Sequence, residues 1–314
     1  MSFKVESIRK IGENLRTIAR DEITRVVQLL EGLTDSNALR GAHEARKHLK
    51  KIRALLRLIR DGIGRTAFEV ENDCFGDAGR HVRNLRDAQT LVRTLDTVRK
   101  RFFERHHPAL ISDARGLFMD DERRCLKHAA ERGAMAAVLK TLRAALIRSG
   151  EWNLRDFGWK EACAALKRAY KRARAAGGKA ASQRTVENLH AWRKRVKDLW
   201  YHARLLRKAC PEFMDEFAHE LKVLSEFLGD DHDLAMLCEA LTERSRILKK
   251  PRQLAALRSM IEGRRDELIN AALDLGGRLC EEPPGAFARA LDKRRAKHRR
   301  SMRKKKKLAS RIQS

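Results

Sequence analysis

An all-α fold is what this sequence predicts, and three observations carry it. Only five prolines occur in 314 residues, and none in the first 107. Such long Leu/Ala/Arg/Lys-rich stretches suit helices, because a helix interior tolerates proline poorly. Apolar residues make up 43% of the chain and recur at helical spacing, whereas period-two runs of Val, Ile, Thr and aromatics are absent.

The elements follow in order. A first helix fits residues 5–31, with Ile8, Ile11, Leu15, Ile18, Ile23, Val26 and Leu30 on its apolar face. Gly32 ends it, and Thr34-Asp35-Ser36-Asn37 offers an N-cap for a second helix over 38–60. Gly62 and Gly64 stop that helix. Further helices fit 66–74, 78–104, 108–116, 119–131 and 134–148, before a break between Ser149-Gly150 and Gly158. The chain restarts with helices over 157–176, closed by Gly177-Gly178, then 184–209, 212–228, 232–247 and 251–276. Pro283-Pro284-Gly285 is expected to end the compact part and to leave 286–314 as a basic, disordered tail.

Lys and Arg number 70 against 42 Asp and Glu, a net charge of +28. The tail accounts for +12, so residues 1–285 still carry +16. This excess points to a polyanionic partner, either nucleic acid, polyphosphate or an anionic surface. The six cysteines are far apart, with no C-x-x-C spacing, as expected of reduced thiols in a cytoplasmic protein. The N-terminal residues lack the apolar core of a signal peptide, and no uncharged apolar stretch approaches the roughly 18 residues that span a bilayer.

Comparing the chain with itself is the most informative step. Residues 42–60, AHEARKHLKKIRALLRLIR, align with 189–207, LHAWRKRVKDLWYHARLLR, at an offset of 147. Seven of 19 positions are identical: His43/His190, Arg46/Arg193, Lys47/Lys194, Lys50/Lys197, Arg57/Arg204, Leu58/Leu205 and Arg60/Arg207. A weaker echo aligns Asp87 and Leu91 with Asp233 and Leu237. The expectation is two homologous helical bundles, about 5–150 and 157–285, related by pseudo-twofold symmetry around a basic groove or pore.

At 100° per residue, His43, Arg46, Lys47, Lys50, Arg53 and Arg57 form one stripe on the first copy, opposite Ala45, Leu49, Ile52, Leu56 and Ile59. His190, Arg193, Lys194, Lys197 and Arg204 do the same on the second. Like charges at this spacing repel. The nearby acids, Glu44 and Asp198, are expected to lie off the stripes. A solvated face is the ordinary meaning of a charge run, but the recurrence of one order of groups favours a surface for spaced anions. Lys supplies point charges there and Arg supplies forked donors to phosphate oxygens.

At these residues the sequence resembles the CHAD family, named for a conserved-histidine α-helical domain. The H-x-x-R-K-x-x-K signature stands twice, at His43–Lys50 and His190–Lys197, and the N-L-R-D and L-G-D-D-H-D segments at 84–87 and 228–233 resemble the family's later helix in each half. The resemblance covers about residues 5–285. It implies two helical bundles around a basic central groove and binding of inorganic polyphosphate by a non-catalytic module, with location on polyphosphate granules as its cellular expression. Family members often accompany a triphosphate tunnel domain with an E-x-E-x-K strand; that motif is absent here. The second half departs from the first, with Trp200 in place of Arg53 and Asp198 in place of Lys51.

Other cations at helical spacing are candidates to complete the lining: Arg16 and Arg20 on the first helix, Arg80 and Arg83 before Asn84, and Lys167, Lys171 and Arg174 in the second half. Three rival chemistries were weighed. Metal binding at the histidines is disfavoured by the surrounding cations, and the acids at 230–233 suit a helix N-terminus. No nucleotide-binding, nucleophile-elbow or metalloprotease motif points to an enzyme, and no cofactor is called for. Nucleic acid is the main rival, favoured by the tail, but the stripe of the first copy has no aromatic side chain for stacking on bases.

Overall fold

The computed structural model describes residues 3–8, 10–34, 37–82, 84–102, 108–129 and 132–312. Among these, every regular element is helical. In chain order they are α1 (Ile11–Glu31), α2 (Ala38–Ile63), α3 (Arg65–His81), α4 (Asn84–Phe102), α5 (Pro108–Ala129) and α6 (Arg132–Arg148). Then follow α7 (Trp159–Ser182), α8 (Val186–Leu205), α9 (Pro211–Glu243), the short α10 (Ser245–Leu248), α11 (Pro251–Leu279) and α12 (Pro284–Ile312).

The order of elements repeats. Ile11 and Trp159 open α1 and α7 at a separation of 148 residues; Ala38 and Val186 open α2 and α8 at the same separation. Arg65 and Pro211 open α3 and α9 at 146. Packing repeats as well: α1 lies on α2 and α6, and α7 lies on α8 and α12. The long α9 stands where the first half has α3 followed by α4.

This pairing corrects the expectation for the C-terminus. Residues from 284 onward begin a helix that docks on α7. Proline at the first helical position costs nothing, because its missing N–H has no partner there in any case. Phe287 and Leu291, one turn apart, are buried at 4% and 0% exposure. Phe287 stacks on Tyr170 with ring centroids 4.0 Å apart, and Trp159 Nε1 donates to Asp292 Oδ1 at 2.6 Å. Arg294 and Arg295 lie over the rings of Phe213 and Trp159. The Pro-Pro-Gly run thus separates two helices within the compact body.

Glycines account for several other differences. Gly76 lies inside α3 and Gly116 inside α5, so the helices predicted at 66–74 and 108–116 both continue past them. The helices predicted at 212–228 and 232–247 are one, because Gly229 is helical. Gly177 lies within α7 and lets Trp192 approach: a Cβ there would stand 3.0 Å from the indole, and one at Gly276 would stand 2.3 Å from it. Helix-breaking propensity was outweighed by the packing of a large buried ring. The N-terminal residues depart the other way. Val5 is buried in a non-helical segment and its N–H donates to Leu205 O at 2.9 Å, while Asn14 Oδ1 accepts from the Glu6 and Ser7 amides.

Two separate apolar cores result. The larger joins α1, α2, α3, α6, α7, α8, the first half of α9, the end of α11 and α12 around Leu15, Leu55, Leu56, Leu166 and Trp192. The smaller joins α4, α5, the second half of α9, α10 and α11 around Leu95, Phe118, Leu237, Leu241 and Ile261. Each core therefore draws on both halves of the chain.

Candidate functional site

Helix α2 orients the first stripe because its opposite face is sealed. Ala45, Ile52, Leu55, Leu56 and Ile59 have no exposed surface. The cations are left on the remaining arc. Lys47 and Lys50 are exposed, and His43, Arg46, Arg53 and Arg57 are half-buried. The acids expected off the stripe reach onto it. Lys47 Nζ meets Glu44 Oε1 at 2.9 Å, and Arg57 Nη1 donates to Asp198 Oδ1 at 3.0 Å across the two halves. Helical sequence angle placed both carboxylates aside, but long cationic side chains bend round to them. Arg53 Nε donates to Asn72 Oδ1 at 3.3 Å, and its guanidinium lies with that of Arg80 over the bare backbone of Gly76. Burial and the neighbouring Arg57 both push the Arg53 guanidinium below its ordinary value.

The second stripe is set by α8, whose start is capped by Thr185: its Oγ1 accepts from the Asn188 amide at 3.2 Å. The His190 ring lies against His232 of α9, with centroids 4.2 Å apart and planes at 33°. Burial, then the His232 ring and the cations Lys194, Arg193 and Lys50, push His190 down to about 4. It is neutral at pH 7. Lys50 belongs to the first stripe, so its charge acts on a residue of the second. Lys197 is pushed down to about 8, first by burial and then by Arg193. Its Nζ lies 4.5 Å from the Trp200 ring centroid, and Arg204 Cζ lies 4.8 Å from the same ring. Trp200, in register with Arg53, thus holds two cations by its π-face. Arg193 lies on Gly229, where a Cβ would come within 3.0 Å of its Nη2. Gly229, between the helices expected at 212–228 and 232–247, is what admits this guanidinium.

The flanking candidates go elsewhere. Arg16 Nη1 donates to Trp152 O at 3.4 Å and Arg20 Nη1 to Leu146 O at 3.1 Å. Both therefore bind the end of α6 and the segment after it, supplying donors to carbonyls that a helix C-terminus leaves open. Arg174 Nε does the same for Cys280 O at 2.9 Å. Lys167 and Lys171 are exposed on α7. Arg80 pairs with Asp77 and approaches Arg53. Arg83 and the side chains of 84–88 lie outside the described residues.

Sequence reasoning missed a second gathering of charge. Arg57 and Arg60 of α2, Arg168 and Arg172 of α7, and Arg195 of α8 surround a pocket of about 180 Å³, with Phe68, Ala165, Ala169, Asp198 and His202. The available signal was Arg168 and Arg172 at i, i+4, one position beyond the Lys167 and Lys171 that were chosen. His202 is buried at 2% exposure, and its Nε2–H donates to Ala54 O at 2.8 Å. Burial pushes it down to about 4.

Carboxylates elsewhere are tied to cations. Asp231 is 1% exposed and accepts from Arg265 Nε at 2.8 Å. Glu22 is buried against His48 and Lys51, which hold it below its ordinary range although burial opposes that. Among the described residues no three His, Cys, Asp or Glu side chains are grouped to hold a metal ion. His106 and His107 lie outside the described residues. Among the described residues no helix is long and apolar enough to cross a membrane.

A family model for the CHAD domain matches residues 17–242, from within α1 to the end of α9. The chain belongs to the CHAD family. Both copies of the signature and both stripes fall inside the match, while α10, α11 and α12 of this CHAD protein lie beyond it. No curated protein matches the chain at the level of significance required.

Proposed function

We propose that this CHAD protein binds inorganic polyphosphate, without cleaving it, along the facing basic stripes of α2 and α8, and that the two halves are arranged about a pseudo-twofold axis. The observation that carries the reading is the packing of α2 on α8, where Arg57 of the first stripe pairs with Asp198 at 3.0 Å, so that one linear anion can run along both. Burial first, and then crowding by neighbouring cations, depress Arg53, His190 and Lys197. Such crowding is relieved by a polymer carrying one negative charge or more per phosphate. Trp200 is the aromatic of the second stripe, and its face is taken by Lys197 and Arg204. That argues against base stacking and for phosphate without bases. A cytoplasmic setting and placement on polyphosphate granules go with this reading.

Competition tests it. Labelled long-chain polyphosphate is displaced by unlabelled polyphosphate, single-stranded DNA, RNA and duplex DNA at two salt concentrations. The expected order puts polyphosphate first at both. Equal competition by nucleic acid at matched phosphate would promote nonspecific nucleic-acid binding instead. The variant Lys50→Glu/Lys197→Glu is expected to weaken long polyphosphate at least tenfold, about 1.4 kcal/mol. That is modest beside the roughly 1.5–3 kcal/mol of a charge-assisted contact, because Lys50 is exposed to solvent.

A further inference from the structure

The pocket at the crossing of α2, α7 and α8 shares only Arg57 with the stripes. Its five arginines come from three helices and both halves of the chain. Two carboxylates answer them. Asp198 Oδ1 accepts from Arg57 at 3.0 Å and Asp198 Oδ2 lies 3.7 Å from Arg195; Asp61 Oδ2 pairs with Arg168 at 2.6 Å. Arg60 and Arg172 pair with no carboxylate among the described residues. Arg60 instead lies over the Phe68 ring, 5.2 Å from its centroid. The guanidiniums crowd one another: after burial itself, Arg195, Arg60 and Arg168 all act to depress Arg172. Five cations facing two acids leave a net excess of three positive charges in one concavity.

On α8 the pocket residues Arg195, Asp198 and His202 fall about 80–140° round the helix from His190, away from the stripe. Arg57 is the residue that both regions share. Asp198 ties Arg57 to Arg195 and so fixes two forked donor groups on one side of the cavity. Arg168 and Arg172, one turn apart on α7, present the other side. Ala165 and Ala169, with their short side chains, leave room between them.

We propose that this pocket is a second anion site, for a short inorganic phosphate chain of two or three phosphates, separate from the α2–α8 stripes. Its volume of about 180 Å³ suits a few phosphate groups, and its excess of three charges suits an anion of that order. Of the rings lining it, Phe68 already carries Arg60 over a face and His202 is buried, which disfavours a stacked nucleobase.

Calorimetric titration with pyrophosphate and with inorganic triphosphate, free of divalent cations, tests this on the full chain. The expected result is one-to-one binding, weakened at least tenfold in Arg60→Gln/Arg172→Gln, both rim residues whose exchange leaves the core intact. The same variant is expected to change long-chain affinity less than threefold, and Lys50→Glu/Lys197→Glu to leave pyrophosphate binding unchanged. Unaltered pyrophosphate affinity in Arg60→Gln/Arg172→Gln overturns the pocket, as does its loss in the stripe variant. Adenosine triphosphate is expected to bind no tighter than inorganic triphosphate; tenfold tighter binding would make the ligand a nucleotide and overturn the inorganic assignment. Failure of the stripes is read separately, as long-chain affinity untouched by Lys50→Glu/Lys197→Glu.

Discussion

Lys197 and His202 show how burial sets the pH response of single residues. Lys197, pushed down to about 8, loses its charge in the range where an exposed lysine keeps it. A bound polyanion favours the charged form, so binding takes up protons near pH 8, and affinity falls as pH rises through that value. Lys197→Arg stays protonated throughout and is expected to flatten the profile between pH 7 and 9, measured as affinity in buffers of differing ionisation enthalpy. His202 works on folding. Its native pKa of about 4 lies below the ordinary 6.5. The unfolded chain therefore takes up the proton first as pH falls. The stability that neutral His202 contributes is complete above about pH 6.5 and is lost towards pH 4, with a limiting slope of about 1.4 kcal/mol per pH unit. His202→Leu forfeits the bond to Ala54 O, about 1 kcal/mol, but is expected to lower that slope. Denaturant titrations at pH 7, 6 and 5 measure it, and an unchanged slope would assign the acid sensitivity to His190 or other groups.

At the scale of elements, α12 supplies the sharpest expectation. Removal of 286–314 strips Phe287 and Leu291 from the core and leaves Tyr170 and Trp159 uncovered. Loss of two such side chains costs several kcal/mol, roughly 1.5–3 each in burial alone. Removal of 301–314 spares every one of these contacts. The first truncation is expected to lower the melting temperature by many degrees, and the second to leave it within a degree or two. The helical elements were legible in the sequence because apolar spacing reports which face is buried. The continuity of α3, α7 and α9 was not, because a glycine beside a large or charged side chain looks the same in sequence as a glycine in a turn. Gly177 and Gly276 against Trp192, and Gly229 under Arg193, are cases where a distant residue decides. The stripes were legible for the same reason as the helices, and repetition singled them out. Arg16, Arg20 and Arg174 each donate to a distant carbonyl, a role that sequence does not distinguish from lining a site, because both show the same pattern. Arg60, Arg168, Arg172 and Arg195 converge only through the crossing of α2, α7 and α8, which no local spacing encodes.

Across the whole molecule, the division into cores and the division into repeats do not coincide. Leu95 and Phe118 from the first half are sealed by Leu237, Leu241 and Ile261 from the second. Leu241→Ala and Leu56→Ala each open a cavity and are expected to cost about 2–5 kcal/mol. Because α9 runs through both cores, both substitutions are expected to lower one shared unfolding transition, seen as coincident curves by circular dichroism and tryptophan fluorescence. Two separated transitions would show that the smaller core melts alone. The sharing of cores also bears on how the polypeptide is made. About 140 residues separate Leu95 from Leu234. At roughly 5–20 residues per second, the apolar faces of α4 and α5 wait roughly seven to thirty seconds on the ribosome before their covering helices emerge. The nascent chain is exposed to chaperones for that interval, and separately synthesised fragments 1–156 and 157–314 must find each other in solution to become native.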